Sequence, residues 1–298
     1  MNFGGIEEEY SAWEDATFVV IPVPYDLTTT YQSGSRRGPA AILDASCNME
    51  LYDEELDRET YLAGICTFAA VEAEATGPEA MVRKVEERVA AVLEGGKIPV
   101  VLGGEHSISL GAVRALKKGY PNLSVLQFDA HADMRASYQG SPYSHACIAR
   151  RARELCPVVQ VGIRSMSAEE AAFLRTSPVK TWSVEEIRSG SGWREALSRD
   201  LSDDVYVTID LDVFDPAVMP STGTPEPGGL LWSEVLSVLR EVSQRRRVRG
   251  FDVVELAPLP GIVAPDFLAA KLTYRMMGYL ARAVDQGRLD RPQSSARE

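Results

Sequence analysis

The stretch Leu123-Ser-Val-Leu-Gln-Phe-Asp129-Ala-His131-Ala-Asp133 joins a run of strand-forming residues to three ligand-type side chains at alternate positions. Residues 123–128 are rich in the apolar types that fill a buried strand. Alternate residues of an extended chain project to the same side, so Asp129, His131 and Asp133 can point to one place. The two alanines between them leave room for close neighbours. The stretch therefore predicts a strand that ends at a polar site.

Apolar runs of the same kind recur along the chain, separated by segments with helical spacing. Runs such as 100–102 (Val-Val-Leu) and 205–209 (Val-Tyr-Val-Thr-Ile) do not alternate with charged residues, which favours parallel strands covered on both faces. Strands are predicted at 17–23, 63–70, 98–102, 123–128, 158–163, 179–182, 205–211 and 250–254.

Helices are predicted where apolar residues share one stripe. In residues 78–94 four valines fall on such a stripe, a proline stands near the first turn, and a Gly-Gly pair follows the last residue. Residues 232–244 and 265–283 are typical of helices for similar reasons.

The alternation of strands and helices predicts an α/β fold with one parallel sheet between two layers of helices. The chain has 298 residues, of which 45% are hydrophobic and 25% charged, a balance that excludes a disordered or fibrous protein. No linker, repeat or change of composition marks a second domain. We expect a single domain over residues 1–298, with a polar tail at about 289–298.

The charge of the chain limits its partners. Lys and Arg number 31 against 43 Asp and Glu, a formal net charge of −12. This balance argues against nucleic acid and against an anionic membrane surface, and it suits a small cationic substrate. The four cysteines show no Cys-x-x-Cys spacing, and no signal peptide or membrane-spanning run is evident. A cytoplasmic location is expected.

Ligand-type residues also follow three other predicted strands. They occur in Gly103-Gly-Glu-His106, in Asp210-Leu-Asp212 and at Glu255. Because the carboxyl ends of parallel strands lie along one edge of a sheet, we expect these side chains to meet the Asp129–Asp133 run there.

The ligand types indicate a pair of metal ions. Four aspartates packed at a buried sheet edge repel one another unless they are neutralised, and two divalent cations balance four negative charges. This count favours a binuclear site over a single ion. The donors are imidazole nitrogens and carboxylate oxygens without a thiolate, which suits Mn²⁺ better than a structural Zn²⁺. The predicted metal ligands are His106, Asp129, His131, Asp133, Asp210 and Asp212.

Taken together, these runs resemble those of the ureohydrolases, the arginase and agmatinase family of manganese enzymes. The resemblance begins at Gly34-Ser-Arg-Arg-Gly-Pro39, continues through Asp210-Leu-Asp-Val-Phe-Asp-Pro216 and ends in the last predicted helix. It implies a three-layer α/β/α architecture with an eight-stranded, mainly parallel sheet and two Mn²⁺ ions per chain. It also implies a homo-oligomer, a trimer or a hexamer.

The resemblance also implies roles for two further positions. His145, in Tyr-Ser-His145, matches a proton-shuttling histidine, and Glu255 matches the carboxylate that pairs with the substrate guanidinium. Asp133 is expected to take the proton of the attacking water. The reaction so implied is hydrolysis of a guanidino compound to urea and an amine.

The loop of residues 134–145 points to one branch of this family. Arg135, Tyr138 and Gly140 resemble the agmatinase branch, which predicts hydrolysis of agmatine to putrescine. Ala136, Ser137 and Ala146 depart from that pattern. Guanidinobutyrate, aminopropylagmatine and arginine therefore remain alternative substrates. A metal amidohydrolase that forms no urea, such as a one-zinc deacetylase on a related sheet, and a non-catalytic polyamine-binding protein remain as alternatives from other functional classes.

Overall fold

The computed structural model describes residues 1–190 and 192–290. Its strands, in chain order, are β1 (Phe18–Val23), β2 (Tyr52–Asp53), β3 (Arg58–Glu59), β4 (Ile65–Thr67), β5 (Ile98–Gly103), β6 (Leu123–Phe128), β7 (Val158–Val161), β8 (Lys180–Trp182), β9 (Asp204–Asp210) and β10 (Arg247–Val254).

Eight of these strands form one sheet in the order β4-β1-β5-β10-β9-β6-β7-β8, and every pairing in it is parallel. Strands β1, β5 and β6 are buried at every residue, which is why their sequences do not alternate. All eight predicted strands are present, with ends shifted by a few residues. The two remaining strands, β2 and β3, pair antiparallel in a separate hairpin that the sequence analysis did not predict.

The α-helices are α1 (Glu8–Ser11), α2 (Gly38–Ser46), α3 (Pro78–Glu94), α4 (Ser109–Gly119), α5 (Ile148–Leu155), α6 (Ala168–Thr176), α7 (Val184–Arg188), α8 (Trp193–Asp200), α9 (Trp232–Arg245) and α10 (Ala264–Asp285). Short 3₁₀ helices lie at Phe3–Gly5, Ser35–Arg37, Thr60–Ala63, His106–Ile108, His145–Cys147 and Leu211–Val213. The three predicted helices correspond to α3, α9 and α10. Across the described residues, none of the helices combines the length and apolarity needed to span a membrane.

Two hydrophobic cores cover the two faces of the sheet. Helices α2, α7, α8, α9 and α10 contribute apolar side chains to one core, and α3, α4 and α5 contribute them to the other. This three-layer arrangement confirms the predicted α/β/α fold. Leu289, at the start of the predicted polar tail, is buried in the first core, and residues 291–298 of that tail lie outside the described residues.

The sheet order places the site. Strands β5, β10, β9 and β6 are the four central strands and lie side by side. They are also the four strands whose carboxyl ends carry the ligand-type residues. The convergence expected from the sequence is therefore a direct result of the topology.

Candidate active site

A glycine turn brings the chain from β5 into the site. A Cβ atom on Gly104 would lie 1.9 Å from the carbonyl oxygen of Tyr25, so only glycine allows this approach. The backbone N–H of Glu105 then donates to the same carbonyl at 2.7 Å. This contact fixes where the next residue, His106, begins its short 3₁₀ helix.

The first ligand group consists of His106, Asp129 and Asp210, each fully or almost fully buried. One ligand atom from each lies within 4.8 Å of the others. The His106 Nδ1 atom lies 3.1 Å from Asp129 Oδ2 and 3.3 Å from Asp210 Oδ2. Asp133 stands beside this group, its Oδ2 atom also 3.3 Å from His106 Nδ1.

The contacts of His106 Nε2 show which ring nitrogen of His106 carries a hydrogen. Nε2 lies 2.9 Å from the hydroxyl of Thr208, and that hydroxyl donates to Asp252 Oδ1 at 2.6 Å. A threonine hydroxyl has one hydrogen, so with that hydrogen on Asp252 it can only accept from His106 Nε2–H. In the neutral ring Nδ1 then carries a lone pair.

This lone pair is the best evidence that the site fits a metal ion. Within the described part of the chain, His106 Nδ1 is buried and has no hydrogen-bond partner. Burial lowers the pKa of His106, but the carboxylates of Asp129, Asp133 and Asp210 raise it well above its usual range, so either a proton or a metal cation is needed between Nδ1 and these oxygens. The residues present therefore fit the implied group.

The second ligand group consists of Asp129, His131 and Asp212. His131 Nδ1 lies 2.8 Å from Asp212 Oδ2 and 3.6 Å from Asp129 Oδ1. The backbone N–H of Ala130 donates to Asp212 Oδ1 at 3.0 Å and orients that carboxylate. Asp129 is shared by the two groups, as a carboxylate between two neighbouring cations would be.

Electrostatics at the site also favour bound cations. Burial, with the charges of Asp212 and Asp129, raises the pKa of Asp210 well above its usual range. Burial and the charge of Asp129 raise the pKa of Asp133 to about 7. These carboxylates lie where a negative charge without a partner is poorly stabilised, and a divalent cation relieves that cost.

Two of the predicted site residues have unusual backbone geometry. Asp133 has φ of 50° and Glu255 has φ of 66°, a region that residues other than glycine rarely adopt. Glu255 Oε1 accepts the backbone N–H of His106 at 2.6 Å, which ties the end of β10 to the end of β5. Strain of this kind concentrates at functional sites.

A cavity of about 230 Å³ opens above the two ligand groups. His145 and Glu255 both line it, together with His131, Asp133, Asp210 and Asp212. Burial lowers the pKa of the His145 imidazole to about 4, so the ring is neutral near pH 7. The outer part of the cavity is lined by Thr29, Thr30, Gln32, Arg135, Tyr138, Met166, Glu170 and Thr224, among others. All the predicted site residues are thus brought together.

Several residues that support the site were not singled out from the sequence. Gln127 donates to Asp129 Oδ2 at 2.7 Å, and Gln160 donates to Gln127 Oε1 at 2.9 Å. Thr208 and Asp252 support His106 in the way described above. Each is a polar residue at a buried position of a largely apolar strand, and that pattern is the signal that could have identified it.

Comparison with known proteins agrees with this geometry. The model of the arginase family matches residues 16–278, so the chain belongs to that family. It is 41% identical over 280 residues to the N(1)-aminopropylagmatine ureohydrolase of Synechocystis sp., covering 91% of this chain and 92% of that protein. It is 37% identical over 253 residues to the agmatinase of Bacillus subtilis, covering 83% and 86% respectively.

A solved structure shows the same fold. The agmatine ureohydrolase of Thermoplasma volcanium matches with a TM-score of 0.86 and 34% sequence identity, over 96% of each chain. These findings confirm the family resemblance and the eight-stranded sheet. The chain is an agmatinase-like enzyme of the arginase family.

Proposed function

We propose that the protein hydrolyses the guanidino group of agmatine to give urea and putrescine, with two Mn²⁺ ions at the sheet edge. The observation that carries the proposal is the pair of ligand groups that share Asp129 beneath a cavity lined by Glu255 and His145. Family membership and the agmatinase relative support it.

The metal ions are held by side chains from three strand ends. Nitrogen and carboxylate donors without a thiolate suit Mn²⁺. When bound, two divalent cations make a water molecule acidic enough to act as a nucleophile near pH 7. The proposed ligands are His106, Asp129, His131, Asp133, Asp210 and Asp212.

Glu255 orients the substrate. Its Oε1 atom is occupied by the backbone N–H of His106, which leaves Oε2 to accept from the guanidinium. A charge-assisted hydrogen bond from one side holds the planar guanidinium with its carbon towards the ligand groups. This contact holds the guanidino carbon in a fixed position relative to the attacking water, which lowers the entropic cost of the reaction.

Asp133 and His145 handle the protons. Asp133 accepts a proton from the attacking water as its oxygen bonds to the guanidino carbon. The bond from that carbon to the nitrogen of the alkyl chain then breaks, as the proton taken up by Asp133 passes through His145 to this nitrogen. The second water proton leaves the oxygen as the urea carbonyl forms, and it protonates the free amine. Water is thus divided between urea and the amine, with no net change in proton number.

N(1)-aminopropylagmatine is a second candidate substrate, and the same chemistry would release urea and spermidine from it. The 41% identity to the Synechocystis aminopropylagmatine ureohydrolase favours this candidate.

Urea release by the purified protein tests the proposal. We expect Mn²⁺-dependent urea from agmatine or N(1)-aminopropylagmatine, with kcat/KM well above that for arginine and guanidinobutyrate. If no urea formed from any of the four in the presence of Mn²⁺, the proposal would fail. Amide cleavage with one zinc ion per chain would instead support the deacetylase alternative.

We also propose that the protein acts in the cytoplasm as a homo-oligomer, a trimer or a hexamer. Its membership of the arginase family supports the oligomer. Light scattering coupled to size-exclusion chromatography measures the mass of the assembly, and a monomer would have a mass of 32.6 kDa. Cell fractionation tests the location.

A further inference from the structure

A chain of three side chains lies behind the cavity and ends at His145. The Thr28 hydroxyl lies 3.3 Å from His145 Nδ1, and it accepts the backbone N–H of His145 at 3.0 Å. The same hydroxyl donates to Glu105 Oε1 at 2.6 Å. Thr28 and Glu105 do not line the cavity, so neither is placed to touch substrate.

Glu105 acts here as an acceptor. Its carboxylate is fully buried and receives three donors, the Thr28 hydroxyl, the Thr28 backbone N–H at 2.6 Å and the Ser107 hydroxyl at 2.5 Å. Burial raises the pKa of Glu105 to about 7, and the hydrogen bonds from Ser107 and Thr28 oppose that rise because an ionised carboxylate has acceptor sites for all three donors.

With Glu105 ionised, counting hydrogens gives the direction of the next bond. The one hydroxyl hydrogen of Thr28 is used on Glu105, so towards His145 the Thr28 oxygen can only accept. It therefore receives a hydrogen from Nδ1, as it does from the backbone N–H. The Ser144 hydroxyl, 3.3 Å from the same Nδ1, can either donate or accept there, so the direction is set by Thr28.

The ring of His145 is also held in orientation. Its plane is at 89° to the ring of Tyr138, with the centroids 5.9 Å apart in an edge-to-face contact. With Nδ1 turned to Thr28, the other nitrogen, Nε2, is the one available to the cavity.

We infer that Glu105 and Thr28 are positioning residues that hold His145 in the Nδ1–H tautomer, so that Nε2 meets the substrate as a lone pair. This inference rests on the proposed function, because it specifies how His145 does the work assigned to it there. The ring must first take a proton on Nε2 from the reacting groups and then return it to the leaving nitrogen. The opposite tautomer would present a hydrogen where an acceptor is needed.

Neutron diffraction from crystals of the full-length, Mn²⁺-loaded protein, grown in D₂O, tests the tautomer directly. We expect nuclear density for deuterium on His145 Nδ1, directed at Thr28, and none on Nε2. Deuterium on Nε2 with a bare Nδ1 would overturn the inference. This result does not depend on whether any substrate is turned over.

Kinetics of Thr28 variants provide the second test. Thr28→Val removes the acceptor, and we expect kcat for urea release to fall about 10- to 100-fold with KM changed less than about threefold, in the range that general acid–base catalysis supplies. Thr28→Ser keeps the hydroxyl and should restore kcat to within about threefold of the parent.

Thr67→Val is the matched control, because the Thr67 hydroxyl also accepts a backbone N–H, from Phe3 at 2.9 Å, but lies on the edge strand β4. It should leave kcat unchanged. If the parent enzyme is active and Thr28→Val keeps its kcat, the positioning role is wrong and the proposed function stands. If the parent releases no urea, the proposed function fails, and the neutron density still decides the tautomer.

Discussion

The guanidinium of Arg164 donates a hydrogen bond of 2.7 Å to the carbonyl oxygen of Asp212. The same nitrogen donates to the carbonyl of Glu226 at 2.8 Å, and Nε donates to that of Pro227 at 3.0 Å. One side chain, placed just after β7, thus fixes both the backbone that carries Asp212 and the loop beside it.

Replacing Arg164 by lysine should therefore loosen the second ligand group. A lysine cannot span the carbonyls that the planar guanidinium reaches. We expect a loss of about 1–3 kcal/mol in the free energy of unfolding and weaker Mn²⁺ binding at the His131 side. Chemical unfolding and metal titration measure these effects.

Arg188→Lys is the control for this variant. Arg188 also donates to a carbonyl of this loop, that of Gly229 at 2.9 Å, but it does not reach Asp212. Equal loss of Mn²⁺ binding in the two variants would contradict the specific role of Arg164.

Loss of the Asp129 carboxylate, which both ligand groups share, should weaken binding of both ions, whereas loss of the Asp212 carboxylate should weaken binding of one ion. Asp129→Asn should abolish tight binding of both Mn²⁺ ions, whereas Asp212→Asn should leave about one per chain beside His106. Either change should lower kcat/KM by roughly a thousandfold, because bound metal supplies several kcal/mol of catalysis. Elemental analysis after gel filtration gives the stoichiometry, and equal metal content in the two variants would count against a shared ligand.

Thr208 should control metal affinity through His106. Thr208→Val removes the acceptor for Nε2–H, which frees the ring to place its hydrogen on Nδ1 and block the lone pair. We expect Mn²⁺ affinity to fall about 10- to 100-fold, the usual effect of losing such a supporting contact. Isothermal titration calorimetry measures the change.

Thr273→Val is the matched control for Thr208→Val, since it removes an equally buried hydroxyl, on α10, that bonds to the Ala269 carbonyl. Unchanged Mn²⁺ affinity in Thr208→Val would show that the hydroxyl does not set the tautomer.

Ion pairs between Arg275 and the β2–β3 hairpin should contribute strongly to the stability of the fold. This α10 side chain is buried and forms an ion pair with Asp53, which is also buried, and further pairs with Glu54 and Glu55 at 2.8 and 2.6 Å. Arg275→Ala leaves the buried Asp53 charge without a cation and with only the backbone N–H groups of Glu55 and Leu56 as donors, so we expect a loss of about 3–5 kcal/mol in unfolding free energy. The exposed Arg282→Ala on the same helix should cost little, and thermal unfolding compares the two.

The sequence predicted the sheet and the site because both depend on local signals. Each central strand is an apolar run that ends in ligand-type residues. Because the carboxyl ends of parallel strands lie along one edge of the sheet, these residues meet at one site. The hairpin was missed because each of its strands has two residues, too few to show a period.

The supporting contacts could not be predicted because they depend on which strands are neighbours. Asp252 and Thr208 are cross-strand partners on β10 and β9. These two strands are neighbours in the sheet, but the two residues are 44 positions apart in the chain. Thr28 meets Glu105 because the segments after β1 and β5 run side by side, 77 residues apart in the chain. Such pairings come from the topology and register of the sheet, which no single segment encodes.

Anomalous diffraction at the manganese edge, from crystals of the full chain grown with saturating Mn²⁺, tests the central claim most directly. We predict two peaks per chain, one beside His106 and one beside His131, with the Asp129 carboxylate between them. A single peak, or none at this edge of the sheet, would contradict the binuclear site on which the proposed chemistry depends.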